Sequence, residues 1–252
     1  MKIFALSDIH IDYEENHKWL YSLSEYDYKD DILILAGDIT DIIPSLSKAF
    51  EALKLKFHEV MYLPGNHDLW TYRNNIKNSI DKFNIIKKIA NDYGINMKPA
   101  KFDSVSIIPL YGWFDFSFGQ PSKELLHIWL DFTACKWPYD FDETKITHYF
   151  ISINEEFLQT KNDFIITYSH FLPRIDLMPI YIPPSKRLLY PVLGTTLLEE
   201  QINVLDSQIH IYGHSHVNMH VNKDNRIYIN NAFGYPSETR ITAKELLCVF
   251  EL

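Results

Sequence analysis

The stretch "GHSHVN" (residues 213–218) follows the apolar run "SQIHIY" (207–212) and sets two imidazoles, His214 and His216, one residue apart. A strand that ends by offering paired histidines calls for something to hold them. The counterpart lies at the other extremity of the chain, where "FALSDIH" (4–10) ends in Asp8 and His10 with the same spacing. Residues i and i+2 on extended backbone face the same way. Each pair is therefore expected to reach one site, or two adjacent ones, provided the chain stays extended there.

Working outward, short apolar runs rich in Ile, Val, Leu and Tyr recur along the chain: 2–7, 31–37, 59–65, 105–112, 164–170, 208–214, 226–232 and 245–252. Runs of four to eight such residues read as strands covered on both faces. Helical patterns separate the early ones. Residues 44–55 have Pro44 placed to start a helix. Residues 75–94 carry Ile76, Ile80, Phe83, Ile86 and Ile89, with Gly94 as the stop. Residues 142–160 form a third pattern. Strand and helix alternate in the first half, and strands dominate the end, which predicts an α/β sandwich, partly parallel, closed by antiparallel strands. Two segments break the alternation, an aromatic-dense insert at 113–141 and a loop at 171–194 that holds five of the 12 prolines. Each reads either as a substrate-facing loop or as cover for the core.

Composition bounds the function. The chain has 252 residues, 46% of them hydrophobic, enough for a sizeable core. A net charge of -9 disfavours tight binding to a polyanion without excluding it, because such binding needs clustered Lys and Arg. The two cysteines form no CxxC unit, so no thiolate metal site is expected. No stretch approaches the length of a membrane span, and the first residues lack a signal-peptide pattern, so a cytoplasmic, soluble protein is expected. Oligomeric state is not encoded in any feature of the sequence.

Five fragments place polar residues at the C-terminal ends of expected strands. They are Asp8 and His10, then Asp38 in "GDITD", then Asn66, His67 and Asp68 in "GNHD", then His170 in "YSH", then His214 and His216. Ligand sites in open α/β sheets form at that edge. A mix of carboxylate, imidazole and amide donors suits Mn, Fe, Zn, Ni or Mg rather than a soft-ligand metal. Each fragment alone has a bland alternative, such as a tight turn for "GNHD". The remaining histidines, His17, His58, His127, His148, His210 and His220, lack such settings and read as structural or surface residues.

The order D-x-H, G-D, G-N-H-D, H, G-H-x-H resembles the calcineurin-like metallophosphoesterase superfamily, in particular its bacterial cytosolic members, with every motif intact from residue 8 to residue 216. "NNAFGYP" (230–236) stands where many members have Asn-Pro-Gly-Ser. The resemblance implies a four-layer αββα sandwich with two mixed β-sheets, built as one domain over 1–252. It also implies two divalent metal ions. Asp8, His10 and His216 would hold one, Asn66, His170 and His214 the other, and Asp38 would bridge them. His67 would act as general acid, oriented by Asp68. Two such cations clamp a phosphoryl group and generate a hydroxide nucleophile. The expected activity is phosphoester hydrolysis of a small phosphorylated substrate, organic or nucleotide, with a phosphodiesterase as the leading reading and a phosphatase left open. Nucleic-acid end processing and a non-catalytic scaffold are the alternatives. Arg174, four residues after His170, is the candidate contact to substrate phosphate; Trp70, Tyr111, Trp113, Tyr181 and Tyr190 either stack on a base or pack loops.

Overall fold

In the computed structural model, which describes residues 1–252, the apolar runs form strands of two mixed sheets. The first has the order β10-β1-β2-β3, with β1 (Lys2–Leu6), β2 (Ile32–Ala36) and β3 (Glu59–Leu63) parallel and β10 (Leu247–Glu251) antiparallel at one edge. The second has the order β4-β5-β6-β7-β9-β8. Here β5 (Val105–Pro109), β6 (Phe164–Tyr168), β7 (Ile209–Tyr212) and β9 (Arg226–Asn230) are parallel, and β4 (Ala100–Phe102) and β8 (Met219–Lys223) close the edges antiparallel. Every residue of β2, β5 and β7 is buried, as strands covered on both faces must be. Strands of both sheets contribute to one cluster of 53 buried hydrophobic residues. A parallel bridge between Ser7 and Ala232 ties the end of β1 to the segment after β9.

Helix α1 (Glu14–Ser22) lies beside α2 (Ile43–Lys56), where the buried Lys56 ammonium donates to the carbonyls of Tyr21 and Leu23. The second pattern starts later than its periodicity predicts, as α3 (Ser79–Asp92), because Asn78 caps it by accepting from the Asp81 N–H. The third ends early. After the aromatic insert, which holds the short helices α4 (Lys123–Ile128) and α5 (Asp131–Ala134), α6 runs from Glu143 to Ile153. Asn154 stops it by bonding the Tyr111 backbone and the Gln201 side chain of α7 (Thr196–Val204). No helix is long and apolar enough to cross a membrane.

Candidate metal centre

Because β1, β2 and β3 run parallel, as do β6 and β7, the five polar fragments leave the same edge of their sheets and meet. His216 Nε2 lies 3.1 Å from His10 Nε2 and 3.2 Å from Asp8 Oδ1. His170 Nε2 lies 2.9 Å from Asn66 Oδ1, 3.1 Å from His214 Nδ1 and 3.5 Å from Asp38 Oδ2. Asp38 Oδ2 is also 3.9 Å from both His10 Nε2 and His67 Nε2. Asp38 thus stands between two clusters, one with Asp8, His10 and His216, the other with Asn66, His170 and His214.

The convergence is achieved differently from the extended-backbone expectation. Asp8, His10, Asp38, His214 and His216 have φ values of 53, 43, 59, 66 and 52°. All five are in the left-handed region, which costs roughly 1 kcal/mol or more per residue and persists only where surroundings over-determine it. The surroundings do so here. Asp8 N donates to Gly37 O, His10 N to Asp38 O, and His214 N to the Asp8 carboxylate. Crowding fixes the neighbouring glycines: a Cβ on Gly65 would sit 2.2 Å from Asp38 Oδ1, and one on Gly37 would sit 2.6 Å from His170 Nδ1.

Proton placement decides what the cluster can hold. His170 Nδ1 donates to Ala36 O and His214 Nε2 donates to Val192 O, so on the neutral rings His170 Nε2 and His214 Nδ1 carry lone pairs. Asn66 Nδ2 donates to Asp131, which turns Asn66 Oδ1 inward. Three lone pairs therefore face one another with no hydrogen between them. On the other side, Asp8 is held low: burial works to raise it, but the His216 imidazole overrides that. Burial, then the charges of Asp8 and Asp68, hold the Asp38 carboxyl well above the usual range. Burial pulls His216 down, yet Asp8 and Glu238 carry it up to about 9. No Lys or Arg contacts Asp8 or Asp38; their charged neighbours are the histidines alone. Such a set fits divalent cations, which satisfy lone pairs and offset charge together.

Asp68 corrects an expectation. It does not orient His67. Its Oδ2 accepts from the N–H groups of Asp38 and Gly65, and its Oδ1 from those of Ile39 and Thr40, each at 2.8–3.0 Å. It clamps the loop after β2 to the loop after β3, although burial lifts its pKa to about 6. The His67 ring instead stacks on Trp70, with centroids 3.7 Å apart, and burial followed by His216 and His170 pushes its pKa down to about 3. Arg174 is not at the site either. It bonds Asp176 and Asp224 in a separate cleft that holds none of the clustered residues. Of the five aromatics singled out above, Trp70 lines the cleft beside His67, whereas Tyr111 and Trp113 are core residues.

Two supporting carboxylates escaped the sequence reading. Asp131, in the aromatic insert, accepts from Asn66 Nδ2, Trp70 Nε1 and Trp129 Nε1 at 2.9, 2.6 and 2.7 Å. Glu238, in the segment after β9, takes His216 Nδ1 at 2.7 Å. The available signal was weak: an acid between tryptophans, and an acid shortly after "GYPS". The Pro-rich loop contributes Val192 O to His214, so it supports the site rather than merely covering the core. His210 is buried against Thr167 and Ser169, and the other five non-site histidines are exposed.

A two-sheet α/β scaffold with this carboxylate–imidazole–amide cluster at its strand ends has the architecture of a metallophosphoesterase. Residues 1–218 match the calcineurin-like phosphoesterase family, and the chain belongs to it. It is 27% identical over 131 residues to [acyl-carrier-protein] phosphodiesterase PptH of Mycobacterium tuberculosis (strain H37Rv), a match over 46% of this chain and 38% of that protein. The chain thus matches well under two thirds of that relative. The crystal structure of phosphopantetheinyl hydrolase PptH from M. tuberculosis superposes with a TM-score of 0.84 at 21% identity, over 98% of this chain and 95% of that one. At that identity the likeness is one of fold. Family membership and the mixed two-sheet fold expected from sequence are both borne out.

Proposed function

We propose that this chain is a metal-dependent phosphodiesterase. Asp8, His10 and His216 would hold one divalent cation and Asn66, His170 and His214 a second, with Asp38 placed to serve both. The observation that carries this reading is the convergence on Asp38 of Asp8, His10 and His216 on one side and the inward lone pairs of Asn66, His170 and His214 on the other, with no Lys or Arg in contact. When bound, such cations offset charge on phosphoryl oxygens and lower the pKa of water.

The chain's own residues do the rest. Asp131 and Glu238 fix the orientations of Asn66 and His216. Asp68 holds the two loops that carry Asp38 and His67 in register. Hydrolysis forms one P–O bond from water and breaks the P–O bond to the leaving alcohol, whose oxygen gains a proton. His67 flanks the cluster beside the cleft; as the imidazolium it would give a ring proton to that oxygen and be left neutral, the form its surroundings favour.

The name of the PptH relative favours a diester as the substrate to test. A nuclease would need basic residues along a strand-length groove, and the cleft beside His67 is lined by none. Hydrolysis of bis-p-nitrophenyl phosphate and of p-nitrophenyl phosphate, with Mn²⁺ and then with chelator, tests the proposal. Metal-dependent turnover preferring the diester supports it. Turnover of neither, with metal shown to be bound, contradicts it.

A further inference from the structure

Beside His67 lies a cleft of about 190 Å³ with a mostly apolar lining. His67 and Asn66 form its inner end, against the candidate metal centre. The walls are the rings of Trp70 and Trp129. Both indole N–H groups are already given to Asp131, so the walls present apolar faces. Asp131 in turn has both oxygens engaged by these donors and by Asn66 Nδ2. The rim is Ile128 and Leu130, about half exposed at 48% and 59%. Tyr235 completes the lining; no Lys or Arg is part of it, and its one carboxylate is Asp131.

Resting on the phosphodiesterase reading above, we infer that this cleft is the leaving-group subsite and that it selects an uncharged, ring-sized alcohol, with Leu130 and Ile128 setting that choice. Placement follows from His67: the group protonated at departure must lie on the side of the residue that serves it, and His67 opens into this cleft. Size follows from the volume, which falls below the roughly 300–1,000 Å³ of pockets for drug-sized ligands. One ring or a short branched chain fills it, and a larger group would extend past Leu130. Charge selection follows from the lining. An anionic substituent there would lose water, meet two apolar walls backed by Asp131, and find no Lys or Arg to pair with. The substituent retained on phosphorus lies outside this cleft and escapes the selection.

Three diesters separate the possibilities. The first is methyl p-nitrophenyl phosphate. The second carries an added carboxylate on the nitrophenyl ring. The third keeps the plain p-nitrophenyl leaving group and bears a carboxymethyl group as the retained substituent. With Mn²⁺ present, kcat/KM for the second, corrected for leaving-group pKa, is expected to fall at least about 10-fold below the first, and the third to stay within about 3-fold. Leu130→Lys should shrink the penalty on the second substrate several-fold. Tyr139→Lys, the same charge change at a fully exposed ring outside the cleft, should leave the ratio unchanged. Equal rates for the first two substrates, or a penalty untouched by Leu130→Lys, overturn the subsite. Failure to hydrolyse any of the three overturns the phosphodiesterase reading first, and the subsite with it.

Discussion

Asp131→Asn isolates the contribution of a carboxylate that touches no metal ligand except through Asn66. Asp131 accepts three donors, and an Asn can accept at only one of its two side-chain positions. If the Asn oxygen stays on Asn66 and Trp70, its amide N–H₂ faces the Trp129 N–H, donor against donor. Leaving that indole unsatisfied costs roughly 1–3 kcal/mol. Against this, burial lifts the Asp131 carboxyl from 3.8 to about 6, so keeping it ionised at neutral pH costs roughly 3 kcal/mol, which the neutral Asn avoids. The two effects nearly cancel, and the melting temperature without metal should move by only a few degrees. Metal binding should not cancel, because Asn66 loses a charged anchor; affinity for Mn²⁺ measured by calorimetry should fall about 10- to 100-fold. The pH dependence adds a sign. Between pH 3.8 and about 6 the folded protein holds a proton on Asp131 that the unfolded chain lacks. Wild-type stability therefore falls as pH rises through that window, and the variant falls less. Unchanged Mn²⁺ affinity in a well-folded variant would refute the idea that Asp131 positions a metal ligand.

Three further outcomes follow from the geometry. Gly65→Ala, with its Cβ 2.2 Å from Asp38 Oδ1, should lose at least ~2 kcal/mol in denaturant titration and bind Mn²⁺ far more weakly; a wild-type melt would show that the loops have room they lack here. His67→Ala should keep Mn²⁺ affinity within a few-fold and cut turnover roughly 10²–10⁴-fold, most for alcohols that leave poorly; a lost metal would make His67 a ligand instead. Arg174→Ala should leave diester hydrolysis within about 3-fold of wild type, because its guanidinium is engaged by Asp176 and Asp224 away from the site; a large rise in KM would put substrate there after all.

The parts legible in sequence were those with an apolar signature or a compact motif. Eight of the ten strands announce themselves as hydrophobic runs; for β2, β5 and β7 burial on both faces removes polar residues, whereas the edge strand β10 is apolar in sequence with no residue fully buried. The exceptions have physical reasons. β4 is three residues long and β8, "MHVNK", alternates half-buried with exposed positions at a sheet edge. α1 buries only Asn16 and Leu20, so its apolar stripe is nearly absent. The clustered residues were readable by type and order, but the left-handed backbone of five of them was not, because hydrophobic periodicity carries no sign of φ. Nor could spacing reveal Asp131 or Glu238, whose partners Asn66 and His216 lie 65 and 22 residues away. Asp68 shows the converse hazard: adjacency to His67 suggested a pair, while its oxygens are taken by four backbone N–H groups.

The central claim is that one carboxylate, Asp38, serves two cations drawn together by both extremities of the chain. Crystals grown with Mn²⁺ and measured at the manganese absorption edge test it most directly. The account predicts two anomalous peaks about 3.5–4 Å apart, one on each side of Asp38, with Asn66 Oδ1 at one and His216 Nε2 at the other. A single peak, or peaks that leave Asp38 uncoordinated, would contradict it.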